Sequence, residues 1–76
     1  MTTTSTNDRI AVLGLGYVGL PLTLALARAG FDVLGFDTHP PMIQALRAGR
    51  DPNGEIADEK VAGSDARFSH DAADLE

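Results

Sequence analysis

Three glycines and one aspartate have the types and spacing of a site for phosphate and sugar. Gly14, Gly16 and Gly19 form a G-x-G-x-x-G sequence, and Asp37 comes 18 residues after Gly19. Backbone N–H groups of a glycine turn at the start of a helix bind phosphate oxygens, and a carboxylate accepts hydrogen bonds from ribose hydroxyls. Together these residues favour the binding of a dinucleotide.

The surrounding sequence predicts the elements that such a site needs. Ile10 to Leu13 is a short apolar run, typical of a strand buried in a parallel sheet. The run from Leu22 to Ala29 predicts an apolar helix that ends at Gly30. Phe31 to Phe36 then forms a second strand, which places Asp37 at its carboxyl end.

Each glycine has a predicted role. Gly14 makes the tight turn, Gly16 lets a pyrophosphate approach the backbone, and Gly19 lets the helix pack closely on the strand. The first amides of the helix, around Tyr17 and Val18, point at the anion and lie at the positive end of the helix dipole. The loop contains no lysine, which excludes the G-x-x-x-x-G-K-[ST] phosphate loop.

Asp37 favours NAD over NADP. A carboxylate at the end of the second strand repels the extra phosphate of NADP, and no arginine follows at residues 38–40 to hold it. Alternatives stay open: the glycines can serve only the turn and its packing, Asp37 can serve only as a helix cap, and Tyr17 can take part through its backbone alone. The predicted cofactor-binding residues are Gly14, Leu15, Gly16, Tyr17, Val18, Gly19 and Asp37.

The sequence GLGYVGLP at residues 14–21 resembles the N-terminus of the UDP-glucose/GDP-mannose dehydrogenase family. It is most similar to the branch that acts on UDP-N-acetylhexosamines. The resemblance extends over residues 9–76 and includes the later GFD, LRAG and FSHD sequences. It is more specific than the glycine pattern, because Tyr17-Val18 and Leu20-Pro21 belong to it.

The resemblance implies an enzyme of polysaccharide biosynthesis that oxidises the C6 hydroxyl of a nucleotide sugar to a carboxylate. Two NAD molecules are reduced, through a thiohemiacetal on a catalytic cysteine. It also implies that the backbone at Tyr17 and Val18 meets the cofactor phosphates and that Asp37 holds the adenosine ribose. Many relatives carry a basic residue shortly after this aspartate, where the present chain has Pro41-Met42.

Composition limits what the chain does by itself. Its 76 residues suffice for one small domain. They contain no cysteine and only Lys60 as a lysine, so the catalytic cysteine and lysine that the resemblance implies have no counterpart, and we predict no catalytic residue here. His39 and His70 are too isolated for a metal site. A net charge of −5 without a basic cluster argues against nucleic acid and anionic membranes as partners. No signal peptide or membrane span is evident, which predicts a cytoplasmic protein.

We predict an α/β fold with two parts. Residues 1–8 form a disordered tail, and residues 9–76 form the first half of a Rossmann NAD-binding domain, truncated before its second half. A second helix runs from Pro40-Pro41 to Ala48, a third strand spans Ala66 to Ser69, and Asp71 caps a last helix. The strand order is 3-2-1, and both helices lie on one face.

Such a half-domain leaves one sheet face and one edge of the first strand open. Because the strands are apolar on both sides, we expect marginal stability or self-association. Two alternatives to the enzyme segment remain. One is another Rossmann dehydrogenase, of the hydroxyacyl-CoA or 6-phosphogluconate type. The other is a small non-catalytic module that binds a nucleotide.

Overall fold

A computed structural model describes the backbone of residues 2–6 and of residues 9–75. The predicted α/β class is confirmed. The elements in chain order are β1 (Thr2–Thr6), β2 (Arg9–Leu13), α1 (Gly19–Arg28), β3 (Asp32–Phe36), α2 (Pro40–Arg47), α3 (Asp58–Ala62), β4 (Arg67–Ser69) and a short 3₁₀-helix (Ala72–Leu75).

The sheet has four strands in the order β1-β2-β3-β4. β2, β3 and β4 are parallel neighbours, with Val12 opposite Gly35 and Gly35 opposite Phe68. β2, β3 and β4 are the predicted first, second and third strands of the Rossmann half-domain. The predicted strand order 3-2-1 is therefore confirmed. Parallel strands end at the same edge of a sheet, so the glycine turn after β2 and Asp37 after β3 lie side by side.

The prediction of a disordered tail is wrong for residues 2–6, and so is the prediction of an open edge on β2. β1 pairs antiparallel with β2, from Thr2 opposite Leu13 to Thr6 opposite Arg9. Threonine is β-branched and favours an extended backbone, and the edge of β2 offers N–H and C=O groups that need partners. Met1, Asn7 and Asp8 lie outside the described residues, so the tail prediction stands untested for them.

One face of the sheet carries the hydrophobic core. Val12, Val33 and Phe68 of the strands share a buried cluster with Leu20 of α1 and Ile43 of α2. The predicted location of both helices on one face follows from this cluster. α1 connects β2 to β3 and packs on both strands, so it supports the two strand ends that bear the site.

The other face of the sheet is apolar as well. Side chains alternate along a strand, so the register pairs Ala11–Leu34 and Leu13–Phe36 face away from the core cluster. None of the four belongs to that cluster, and Ala11, Leu13 and Phe36 are only half-buried. This arrangement is the apolar second face that the sequence predicts.

The helix ends follow the predicted signals. Gly30 has φ +99° and its N–H donates to the Ala27 carbonyl, while the Phe31 N–H donates to the Leu26 carbonyl. This pair of bonds is a Schellman motif, which stops α1 and lets β3 begin two residues later. α2 ends in the same way at Gly49.

The last elements are shorter than predicted. The Asp71 carboxylate accepts the Ala73 N–H and caps a 3₁₀-helix, as the sequence indicates, although Glu76 lies outside the described residues.

Among the described residues, none of the helices has the length and apolar character needed to span a membrane.

Candidate functional site: the glycine turn and Asp37

The glycine turn is tied to the end of β3. Gly14 has φ +95°, a conformation that favours glycine, and its N–H donates to the Phe36 carbonyl over 2.8 Å. The tight turn predicted for Gly14 is therefore present. Its hydrogen bond joins the first residue of the turn to the residue that precedes Asp37.

Leu15 has two structural roles in the turn. Its side chain is fully buried and packs in the space left by Gly35, where a β-carbon would lie 3.0 Å from a Leu15 methyl group. Its N–H donates to Oδ2 of Asp37 over 2.9 Å. Leu15 is a predicted cofactor-binding residue, but its amide already has a partner within the protein.

The next three amides have no such partner. Among the described residues, the N–H groups of Gly16, Tyr17 and Val18 donate no hydrogen bond to backbone or side chain. All three residues are exposed, with Tyr17 73% and Val18 65% accessible. Nothing lies within 4 Å of the place that a β-carbon of Gly16 would take. The turn thus presents three donors beside open space.

The electrostatics of the helix end suit an anion. Val18 is the N-cap of α1 and makes no capping hydrogen bond through its side chain, and the first turn contains no acidic residue. The unpaired N–H groups carry the positive end of the helix dipole, equivalent to about half a charge. This end of α1 is therefore not neutralised by the residues of α1 itself.

Gly19 allows the helix to begin at the turn. The residue is buried, and a β-carbon there would collide with the carbonyl oxygen of Gly14. The side chain of Val12 is the next nearest part of the strand, at 3.7 Å. The predicted close packing is present, but the tightest contact is with the turn rather than with the strand.

Asp37 faces the turn. Oδ2 accepts the Leu15 N–H and Oδ1 accepts the His39 N–H over 3.1 Å. The N-cap of α2 is His39, which has no side-chain capping bond, so Asp37 does not cap that helix. A carboxylate has about four acceptor positions, and each oxygen therefore retains capacity for a further donor.

The acidic stretch after residue 50 contains a structural carboxylate. Asp51 is 8% exposed, and its oxygens accept the N–H groups of Asn53, Glu55 and Ile56. These three bonds close the loop of residues 51–56, so the buried Asp51 has a structural role. His39 and His70 are exposed.

Sequence reasoning missed the link between the turn and β3. The Leu15–Asp37 bond joins residues 22 positions apart, and the Phe36 carbonyl is a backbone group without a sequence signal. Only the parallel register of β2 and β3 brings these atoms together. The glycine pattern predicts a turn, and the sheet determines which of its amides stay free.

Comparison with known proteins supports the family predicted from GLGYVGLP. Residues 8–71 match the model of the UDP-glucose/GDP-mannose dehydrogenase family, NAD binding domain. A UDP-N-acetyl-D-mannosamine dehydrogenase of Pyrococcus horikoshii is 49% identical over 41 residues, which are 54% of this chain and 10% of the relative.

Two further relatives align with most of the chain. Protein CapL of Staphylococcus aureus is 35% identical over 91% of this chain and 16% of its own length. A UDP-N-acetyl-D-glucosamine 6-dehydrogenase of Salmonella typhi is 37% identical over 90% of this chain and 15% of its own length. The chain thus spans a small part of each relative. No solved structure gives a significant match.

The family model covers most of the chain, and two of these relatives are named as dehydrogenases of UDP-N-acetylhexosamines. NAD is the cofactor that the matched domain binds in this family. The chain therefore belongs to the UDP-glucose/GDP-mannose dehydrogenase family and carries sequence of its NAD binding domain.

Proposed function

We propose that the glycine turn and Asp37 form the site for the adenosine diphosphate half of NAD. The amides of Gly16, Tyr17 and Val18 donate to the diphosphate, and the carboxylate of Asp37 accepts the hydroxyls of the adenosine ribose. The observation that carries this proposal is the Leu15–Asp37 hydrogen bond of 2.9 Å. The bond supports the proposal because it joins the Asp37 carboxylate to the residue directly before the unpaired amides.

The residues present fit this half of the cofactor. Free amides at a helix start suit a diphosphate, and the open space beside Gly16 admits its oxygens. Gly14, Leu15 and Gly19 shape the turn rather than contact the ligand, since the amides of Gly14 and Leu15 are already bonded. The exposed Tyr17 side chain has no assigned role, and its backbone N–H is the group that the proposal uses.

The same geometry discriminates between NAD and NADP. The 2′-phosphate of NADP would lie against the Asp37 carboxylate, which accepts hydrogen bonds and repels anions. Thr38, His39 and Pro40 follow Asp37, and none of them is a permanent cation. Asp37 therefore favours the ribose with a free 2′-hydroxyl.

We propose that the longer protein is a nucleotide-sugar 6-dehydrogenase of the UDP-N-acetylhexosamine branch. It would oxidise the C6 hydroxyl to a carboxylate and reduce two NAD molecules. The names of the relatives support this activity, while the 76 residues contain no cysteine for a covalent intermediate. The present residues would bind and orient the cofactor without catalysing the reaction. The cytoplasmic location stays a prediction.

Calorimetric titration of the 76-residue chain tests the cofactor proposal. We expect NAD and ADP-ribose to bind with similar affinity, because the proposed contacts involve only the adenosine diphosphate part. NADP should bind at least about tenfold more weakly, the ratio for about 1.4 kcal/mol of repulsion. Equal affinity for NADP would contradict the role of Asp37. A folded chain without affinity for NAD would contradict the whole proposal.

The second face of the sheet supports a further proposal, that the chain associates with itself. Ala11, Leu13 and Phe36 are half-buried apolar residues outside the core cluster. Contiguous apolar patches of this kind mark contact surfaces. The edge of β2 does not contribute, because β1 occupies it.

A further inference from the structure

We propose that Asp37 is a positioning residue for the diphosphate as well as an acceptor for ribose. This inference rests on the proposed function of the turn. Through the Leu15 amide, Asp37 fixes the backbone that carries the donor amides of Gly16 and the two residues after it. The ribose and diphosphate parts of the site are then coupled through one carboxylate.

Few hydrogen bonds join the turn to the end of β3. Gly14 and Gly16 on either side of Leu15 have no side chains, and glycine loses more conformational freedom than other residues when it is ordered. Among the described residues, two hydrogen bonds hold the turn to the end of β3, from Gly14 to the Phe36 carbonyl and from Leu15 to Asp37. The second is the one that a side chain supplies.

Asp37 is itself held in the orientation that this role needs. Its second oxygen accepts the His39 N–H, so each oxygen has a backbone partner within the protein. A carboxylate anchored at both oxygens has little rotational freedom. Leu15 is fixed in turn by its buried side chain, and the Asp37–Leu15 pair therefore forms a rigid base for the donor amides.

The charge of Asp37 gives the inference an unusual test. A carboxylate close to a bound diphosphate repels it, so removal of the charge alone should strengthen the binding of a ligand without ribose. Loss of a positioning bond should weaken the same binding. If Asp37 only accepts ribose, its removal should raise the affinity for inorganic pyrophosphate. If Asp37 also positions the turn, its removal should lower that affinity.

The experiment compares Asp37→Ala and Asp37→Asn with the unchanged chain, by titration with inorganic pyrophosphate. We expect Asp37→Ala to bind pyrophosphate about tenfold more weakly, the effect of about one lost hydrogen bond to a charged group. Asp37→Asn loses the charge but keeps one acceptor oxygen for the Leu15 N–H, so it should bind pyrophosphate more tightly than Asp37→Ala does. The control Asp65→Asn removes an exposed carboxylate and should leave affinity unchanged or slightly higher. Equal or tighter binding by Asp37→Ala would overturn the inference.

Amide hydrogen exchange of the chain without ligand tests the positioning role of Asp37 independently of cofactor binding. In Asp37→Ala the Leu15 amide should exchange at least about tenfold faster, and in Asp37→Asn less so, while the amides of Val12 and Val33 keep their rates in both variants. Uniform acceleration of all three amides would show a general loss of stability and would count against positioning. A chain that binds no NAD overturns the proposed function, and the exchange rates still decide whether Asp37 holds the turn.

Discussion

A side chain at Gly19 would collide with the carbonyl oxygen of Gly14. The conformation of the turn at Gly14 therefore requires a glycine as the first residue of α1. The obstacle is backbone, which cannot move aside as a flexible side chain does. We therefore expect Gly19→Ala to lower the free energy of unfolding by about 3 kcal/mol or more, at or above the usual cost of overpacking. Urea denaturation followed by circular dichroism measures this change. A loss below about 1 kcal/mol would show that the turn adapts.

Gly16→Ala provides the matched substitution, because Gly16 has open space where Gly19 has none. We expect the free energy of unfolding to stay the same or to rise by up to about 1 kcal/mol, since alanine restricts the unfolded chain. Affinity for NAD should fall at least about tenfold, because the methyl group occupies the space proposed for the diphosphate. Calorimetry and urea denaturation together separate the two effects. Unchanged affinity would place the diphosphate elsewhere.

The site elements are predictable from sequence because each has a local signal. Apolar runs indicate β2 and β3, glycines indicate the turn, and Gly30 marks the end of α1. Each signal depends only on residues close together in the sequence, because it reflects the backbone conformation or the burial of one short segment. For this reason the fold class and the strand order follow from the chain alone.

The features that sequence reasoning missed depend on contacts between distant residues. Thr2–Thr6 has no apolar alternation, and it becomes a strand only because the edge of β2 needs partners. The Leu15 amide is occupied because the register of β2 and β3 brings Asp37 next to it. Such pairings are set by the assembled sheet, so neither has a signal of its own in the sequence.

Self-association through the second face predicts a specific effect of Leu13→Thr. Leu13 is half-buried outside the core cluster, and threonine keeps strand propensity while it removes apolar area. Sedimentation velocity at increasing concentration should show association of the unchanged chain and a shift toward monomer in Leu13→Thr. Phe31→Thr is the control, because Phe31 is 40% exposed but lies before β3. A concentration-independent monomer for the unchanged chain would contradict self-association.

The ion pairs at the amino ends of the strands should contribute little to stability. Asp32 lies 3.6 Å from Arg9 and 2.8 Å from Arg67, and all three side chains are about half or more exposed. Exposed pairs of this kind are worth roughly 0.2–1 kcal/mol each and are screened by salt. We expect Asp32→Asn to lower the free energy of unfolding by about 1 kcal/mol or less, with a smaller loss at high salt. A loss above about 2 kcal/mol would show that these exposed ion pairs stabilise the sheet more than such pairs usually do.

The most direct test of the proposed site is a titration of the ¹⁵N-labelled chain with NAD, followed by NMR. We expect the amide signals of Gly16, Tyr17 and Val18 to shift most, together with that of Leu15, whose bond to Asp37 responds to the ribose. The signals of Asp32 and Arg67, at the opposite ends of β3 and β4 from the site, should stay in place. A folded chain whose glycine-turn amides do not move at millimolar NAD would contradict the central claim.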